Sequence, residues 1–188
     1  MSDTFFFGYG SLVNRATHAY PQAHPARLQG WARAWRHLPG RSVAVLTAVP
    51  DPGAEIAGLI AAVPGGDWAA LDAREASYDR VALNGGLWHS AQAAGPVAIY
   101  AVPDAALAPP GTRHPILLSY LDVVVQGFAT EFGAQGVAEF FATTHGWEAP
   151  VLDDRAQPRY ARHQRLDAAE TALVDAGLAR LGVRVIGG

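Results

Sequence analysis

The chain has 188 residues, of which half are hydrophobic and only 16% are charged, with a formal net charge of −3 and no cysteine. This composition predicts a single globular domain over residues 1–188, and it excludes disulfides, thiolate catalysis and cysteine-ligated metal sites. The net negative charge argues against a dedicated nucleic-acid-binding protein.

Four stretches in the first hundred residues have the apolar or alternating pattern of strands. They are residues 3–9, 27–41, 42–63 and 97–102. The first contains three consecutive phenylalanines, which predicts a strand buried on both faces because no polar side is left for water. In the third, Asp51-Pro52-Gly53 is a turn signal and predicts a hairpin of residues 42–49 and 54–63.

From about residue 115 onward the pattern becomes helical. Apolar residues recur at helical spacing from Ile116 to Phe132, and Gly133 is the expected stop. A shorter helix is expected over residues 136–144, and a last one from an Asp167 N-cap to Gly182. Strands that come first and helices that come later favour an α+β fold.

One further predicted helix, residues 67–80 with Asp67 as its N-cap, carries a carboxylate in an apolar position. The residues on its apolar face are Trp68, Leu71, Glu75 and Tyr78. Burial there would raise the pKa of Glu75 toward the range that suits proton transfer. The alternative is a structural ion pair between Glu75 and Arg74 or Arg80.

The glycines after the first strand also allow two interpretations. The stretch Gly8-Tyr9-Gly10-Ser11 is not a dinucleotide fingerprint, because the third glycine would fall at Val13. It is not a nucleophile elbow either, since no glycine stands two residues after Ser11. It is either a plain turn at a strand end or a concave nest of backbone N–H groups that binds an anion.

Together, these two segments resemble the γ-glutamylcyclotransferase-like superfamily, especially its ChaC-like and AIG2-like branches. The resemblance lies in a "YGSL" loop after the first strand, here Tyr9-Gly10-Ser11-Leu12, and in an "RE..Y..V" segment from Arg74 to Val81. It also extends over the intervening "GWARAWR" and Pro-Gly-Arg segments, and it weakens after residue 81.

The resemblance implies a small mixed β-barrel flanked by helices, with a ligand at the barrel mouth. It implies a cofactor-free, metal-free reaction in which the α-amine of a γ-glutamyl compound attacks its own γ-carbonyl and releases 5-oxoproline. Glu75 would be the catalytic proton carrier. Tyr9, Gly10, Ser11, Leu12 and Tyr78 would bind the substrate. The leaving group stays open among glutathione, γ-glutamyl amino acids and γ-glutamyl amines.

Several interpretations stay open beside this one. The protein is expected to be cytoplasmic and outside the membrane, because it lacks a signal-peptide pattern and a long apolar run. A non-enzymatic ligand-binding member of the same fold is one alternative. A single-stranded nucleic-acid-binding module is another, because residues 27–41 combine four arginines with Trp31 and Trp35.

The long irregular segment 145–165 has two readings. It either closes over the barrel mouth through Arg155, Arg159 or Tyr160, or packs Trp147 and Tyr160 against the barrel as a crossover. The seven histidines have no metal-ligand spacing, so structural or exposed roles are expected for them.

Overall fold

The structure, a computed structural model, describes residues 3–91, 95–103, 108 and 113–187. The strands are β1 (Thr4–Gly8), β2 (His24–His37), β3 (Ala44–Val63), β4 (Asp79–Ala82), β5 (Leu87–His89), β6 (Val97–Ala101), β7 (Ile116–Leu117), β8 (Thr144–His145), β9 (Val151–Asp153) and β10 (Val185–Gly187). The helices are α1 (Ala69–Arg74), α2 (Leu118–Thr143) and α3 (Ala168–Leu181). Strands dominate the first half and helices the second, which confirms the predicted α+β class.

The strand β1 lies inside the main sheet, as its phenylalanines predict. Phe5, Phe6 and Phe7 are at most 1% exposed. β1 pairs antiparallel with β3 on one side and parallel with β6 on the other. A strand with a neighbour on each side and both faces covered has no position for a polar side chain. The three phenylalanines therefore suit this central place in the sheet.

Residues 42–63 do not form the predicted hairpin. Residues 44–63 form the single long strand β3, whose two halves both pair antiparallel with β2. Asp51-Pro52-Gly53 lies where the register of this pairing shifts, and the Asp51 side chain accepts a hydrogen bond from the Gly53 N–H at 3.0 Å. The local turn signal was overridden because each half of β3 finds a partner on β2 instead of on the other half.

The main sheet has the strand order β4-β6-β1-β3-β2-β5, and β8 adds to β2. The sheet is not closed into the barrel that the family resemblance implied. Within the described residues, no hydrogen-bonded pairing joins its edge strands β4 and β5. Four residues, 83–86, connect these two strands in the chain. Such a short connection spans less than roughly 18 Å. The two edge strands therefore lie near each other at these ends, and the sheet is strongly curved although it stays open.

The helical part lies against this sheet. α2 carries a break at Gly133, where φ is +67°, so the predicted helix stop is confirmed. α3 begins with a capping box between Asp167 and Glu170 and ends at Gly182, as predicted. A small parallel sheet of order β10-β9-β7 completes this half. In the described part of the chain, no helix is both long and apolar enough to cross a bilayer.

A cation occupies the core between the sheet and α2. Arg33 is fully buried and donates hydrogen bonds to the Ala57 carbonyl and the Thr143 hydroxyl, both at 2.7 Å. Its guanidinium lies 5.0 Å and 5.1 Å from the ring centres of Phe128 and Phe140. Burial lowers the pKa of Arg33 to about 9. Neutral groups and aromatic faces therefore hold this charge inside the protein.

Candidate active site

The loop after β1 folds back tightly on itself. A Cβ placed on Gly8 would lie 2.5 Å from the Cβ of Leu12, so the chain reverses at once after the strand. Gly10 then passes the phenol of Tyr120, where an added Cβ would lie 2.7 Å from the hydroxyl oxygen. Both positions require glycine because of close approach, which is the reason for the Gly-Tyr-Gly pattern in the sequence.

The same loop has backbone donors that the fold leaves available. Residues Ser11 to Val13 form one 3-10 turn, closed by hydrogen bonds from the Val13 N–H to the Gly10 carbonyl at 2.9 Å and from the Asn14 N–H to the Ser11 carbonyl at 3.2 Å. Among the residues that the structure describes, no acceptor pairs with the N–H of Gly10 or of Leu12. The loop therefore has the donors that an anion nest needs.

Glu75 lies beyond the end of a helix that is shorter than predicted. α1 stops at Arg74, and Glu75 is its C-cap. The chain then turns, with the Tyr78 N–H bonded to the Glu75 carbonyl at 2.8 Å, and enters β4. Pairing of β4 with β6 overrides the helical period of the sequence.

The start of α1 also differs from the prediction. Asp67 is not the N-cap; its side chain accepts a hydrogen bond from the Ala69 N–H at 3.1 Å, and Trp68 is the N-cap.

An ion pair connects Glu75 to the loop after β1. The Arg74 guanidinium donates to the Glu75 carboxylate at 3.1 Å and to the Ser11 hydroxyl at 3.3 Å. It also donates to the Thr17 carbonyl at 2.9 Å. The two side chains of the pair are 8% and 17% exposed. The ion-pair interpretation was therefore right about Arg74, and the pair forms at the wall of a cavity.

The environment of Glu75 favours its neutral form. Burial raises the pKa of its carboxyl above the ordinary value, while the charges of Arg74 and, further away, Arg162 act in the opposite direction. The net shift is upward. A carboxyl group with a raised pKa is a stronger base than an ordinary glutamate, which suits proton transfer.

Three tyrosines surround this carboxyl. Tyr9 donates to the Tyr100 carbonyl at 2.6 Å, and Tyr78 donates to the Leu46 carbonyl at 2.9 Å. Burial is the main cause that raises the pKa of Tyr9, Tyr78 and Tyr120, and the neighbouring Glu75 contributes to each shift. All three phenols stay protonated at neutral pH, and backbone carbonyls fix the O–H groups of Tyr9 and Tyr78.

A cavity joins these groups. Its inner end, of about 30 Å³, has room for little more than one polar group. The outer part, of about 270 Å³, has the size of a small-molecule site. The residues that line both parts are Ser11, Leu46, Glu75, Tyr78 and Tyr120. Every site residue predicted from the sequence thus lies on this cavity, with Tyr9, Gly10 and Leu12 on the inner part.

Solved structures share this arrangement of strands and helices. A structure titled "Gamma-glutamyl cyclotransferase" is 16% identical to this chain, matches 93% of it and 99% of its own length, and superposes with a TM-score of 0.55. The chain has the gamma-glutamyl cyclotransferase fold.

Two further solved structures superpose on this chain with similar sequence identity and TM-score. An uncharacterized protein of Homo sapiens is 16% identical, with 93% of this chain and 99% of that one covered and a TM-score of 0.56. YkqA of Bacillus subtilis is 15% identical, with 78% and 57% covered and a TM-score of 0.56. No family model and no curated protein matches the sequence itself.

Three cavity residues were not predicted as site residues. Tyr120 follows the helical period between Ile116 and Phe132, which does not distinguish a cavity position from a core position. Arg41 and Arg162 come from irregular connections, where no spacing predicts which side chains face inward. The sequence therefore predicted cavity residues next to β1 and α1 but not those of the opposite wall.

The segment 145–165 is anchored to the cyclotransferase fold at several points. Trp147 packs against Trp35 and Phe141 at ring distances of 5.7 Å and 5.3 Å. Tyr160 stands edge-on to Tyr120, 4.9 Å between ring centres, and lines the outer cavity. Arg155 is bound away from the cavity, by Asp122 at 2.8 Å and by Asp175 at 2.9 Å.

The basic segment 27–41 is in part buried and in part paired with carboxylates. Arg33 and Trp35 are fully buried. Arg27 is paired with Glu139 at 2.7 Å and Glu55 at 3.0 Å. Stacking proteins need exposed aromatic rings beside unpaired cations, whereas here Trp35 and Arg33 are buried and Arg27 is paired. Within the described ranges, no cluster of histidines and carboxylates is placed to hold a metal ion.

Proposed function

We propose that the protein is a γ-glutamylcyclotransferase, which releases 5-oxoproline from a γ-glutamyl amide or peptide. The observation that carries the proposal is Glu75, a largely buried carboxyl with a raised pKa at the junction of the two parts of a small-molecule cavity. The "Gamma-glutamyl cyclotransferase" title of a structure with the same fold supports it.

The reaction needs little beyond folding the substrate and moving a proton. The α-nitrogen forms a bond to the γ-carbon, and the bond from that carbon to the leaving nitrogen breaks. Both reacting atoms belong to one molecule, so holding it in a bent shape supplies most of the acceleration. Glu75 would take a proton from the α-nitrogen and give one to the leaving nitrogen, so no water is consumed.

The loop would stabilise the negative charge. In the proposed arrangement, the N–H groups of Gly10 and Leu12 hold the α-carboxylate or the oxyanion that forms on the γ-carbonyl oxygen. Tyr9 and Tyr78 orient the substrate. The inner cavity has space for about one such polar group, which supports this role.

The test is detection of 5-oxoproline by mass spectrometry after incubation with γ-glutamyl-alanine. We expect product from the wild-type protein and a loss of at least about a hundredfold in Glu75→Gln, the usual scale for a general acid–base residue. Asp79→Asn, which changes an exposed carboxylate of β4 outside the cavity, is the matched control and should keep its activity. Equal turnover by folded Glu75→Gln would exclude the role of Glu75.

A further inference from the structure

Within the part of the chain that the structure describes, two arginines of the outer cavity take part in no ion pair. The ion pairs of the described residues engage Arg15, Arg27, Arg74, Arg80 and Arg155. Arg41 and Arg162 take part in none of these pairs, and both line the outer cavity. Arg41 donates to the Ser77 hydroxyl, a neutral partner.

The charge of the cavity is therefore strongly positive. Its lining contains three arginines, Arg41, Arg74 and Arg162, and a single carboxylate, Glu75. Arg74 is already paired with that carboxylate at 3.1 Å. The other lining residues are neutral, and a bound molecule therefore meets two uncompensated guanidinium groups.

The two arginines lie on a different part of the cavity from the loop after β1. Of its two parts, Arg41 and Arg162 line the outer one and not the inner one, whereas Gly8, Tyr9 and Gly10 line the inner one and not the outer one. Glu75 stands on both. If the γ-glutamyl half of a substrate reaches toward the loop, its leaving half extends toward Arg41 and Arg162.

We infer that Arg41 and Arg162 form a second anion site, which binds a carboxylate on the leaving amine and selects γ-glutamyl amino acids or peptides over γ-glutamyl alkylamines. This inference rests on the proposed function and narrows its substrate. A neutral alkylamine leaves the two guanidinium groups without a partner, and a cationic amine is repelled by them. A carboxylate receives charge-assisted hydrogen bonds from them.

The test compares γ-glutamyl-alanine with γ-glutamyl-ethylamide, which differ only in the carboxylate. For the wild-type protein we expect kcat/KM to favour γ-glutamyl-alanine by about tenfold. Arg41→Gln and Arg162→Gln should each lower this ratio by about threefold, and the double variant should bring it close to one. Arg159→Gln, an exposed arginine of the same segment that is absent from the cavity lining, should leave the ratio unchanged.

The outcomes separate this inference from the proposed function. A wild-type ratio near one, or a ratio that neither arginine variant changes, would overturn the second anion site while 5-oxoproline release stands. If neither compound yields 5-oxoproline, the proposed function is wrong, and calorimetric binding of the two compounds then decides. Tighter binding of γ-glutamyl-alanine that is lost in the double variant supports the anion site, and equal binding of the two compounds overturns it.

Discussion

At the scale of single residues, two opposing influences set the protonation of Glu75. Burial raises its pKa, and the adjacent guanidinium of Arg74 holds the rise in check. Arg74 also bonds to Ser11 and Thr17, so the residue that tunes the carboxyl also fixes the loop. We therefore regard Arg74 as a positioning residue for the proposed reaction.

The pH profile tests this role. Arg74→Gln removes the larger of the two charges that oppose burial, so the pKa of Glu75 rises further. Because the base is active only when deprotonated, the acidic limb of the kcat/KM profile should move to higher pH. Arg74→Lys, which keeps the charge, should move it less. Arg80→Gln, which removes a cation paired with Asp72, is the control, and its limb should not move.

A purely structural role for Arg74 would give a different result. In that case Arg74→Gln would lower the height of the profile, or the stability of the protein, with its acidic limb in place. That outcome would contradict the assignment of Arg74 as the residue that tunes Glu75.

At the scale of elements, local sequence signals predicted both ends of α3 correctly but placed the end of α1 too late. α3 has its N-cap, its capping box and its terminal glycine within its own sequence, so it could be read directly. α1 ends early because the residues after it pair with β6, a partner about twenty residues further along the chain. The shorter helix does not change the side on which Glu75 lies. Leu71 is buried, and Glu75 and Tyr78 both line the cavity.

The start of α2 shows a contact that local sequence does not reveal. Its N-cap is Leu117, which has no side-chain acceptor. The acceptor comes from Asp154, whose carboxylate receives the Ser119 N–H at 2.7 Å and the Ser119 hydroxyl at 2.6 Å. It also receives the Arg159 N–H at 2.9 Å, so one side chain joins α2 to the segment 145–165.

We expect Asp154→Asn to lower the free energy of unfolding by about 1–2 kcal/mol, the usual cost of a lost helix cap or charge-assisted bond. Burial alone would raise the pKa of Asp154, but its bonds to Ser119 and Arg159 outweigh burial and lower it. Its stabilising effect is therefore complete above the ordinary aspartate pKa and is lost as the pH falls through the lower, folded value.

Urea unfolding at neutral pH and at several acidic pH values measures both effects. The wild-type protein should lose stability over this acidic range, and Asp154→Asn should lose less, because it has no proton to bind there. Asp153→Asn, which changes an exposed neighbour, should behave like the wild type. A variant as stable as the wild type at neutral pH would rule out this capping role.

At the scale of the whole molecule, the order of strands before helices was enough to predict the α+β class. The arrangement of the sheet was not, because β2 pairs with both halves of β3 across a register shift and the edge strands are set by long-range contacts. The same limit applies to the site. Glu75 and the loop after β1 could be predicted, whereas Arg41 and Arg162 reach the cavity only through the three-dimensional path of the chain.

In the proposed reaction, the substrate's own amine, and not water, attacks the γ-carbonyl. The most direct measurement is incubation with γ-glutamyl-alanine in water enriched in the heavy oxygen isotope, followed by mass spectrometry of the products. Ring closure takes up no water, so we expect 5-oxoproline without the label, and alanine. Glutamate with the heavy isotope in its γ-carboxylate would show attack by water and would contradict the account.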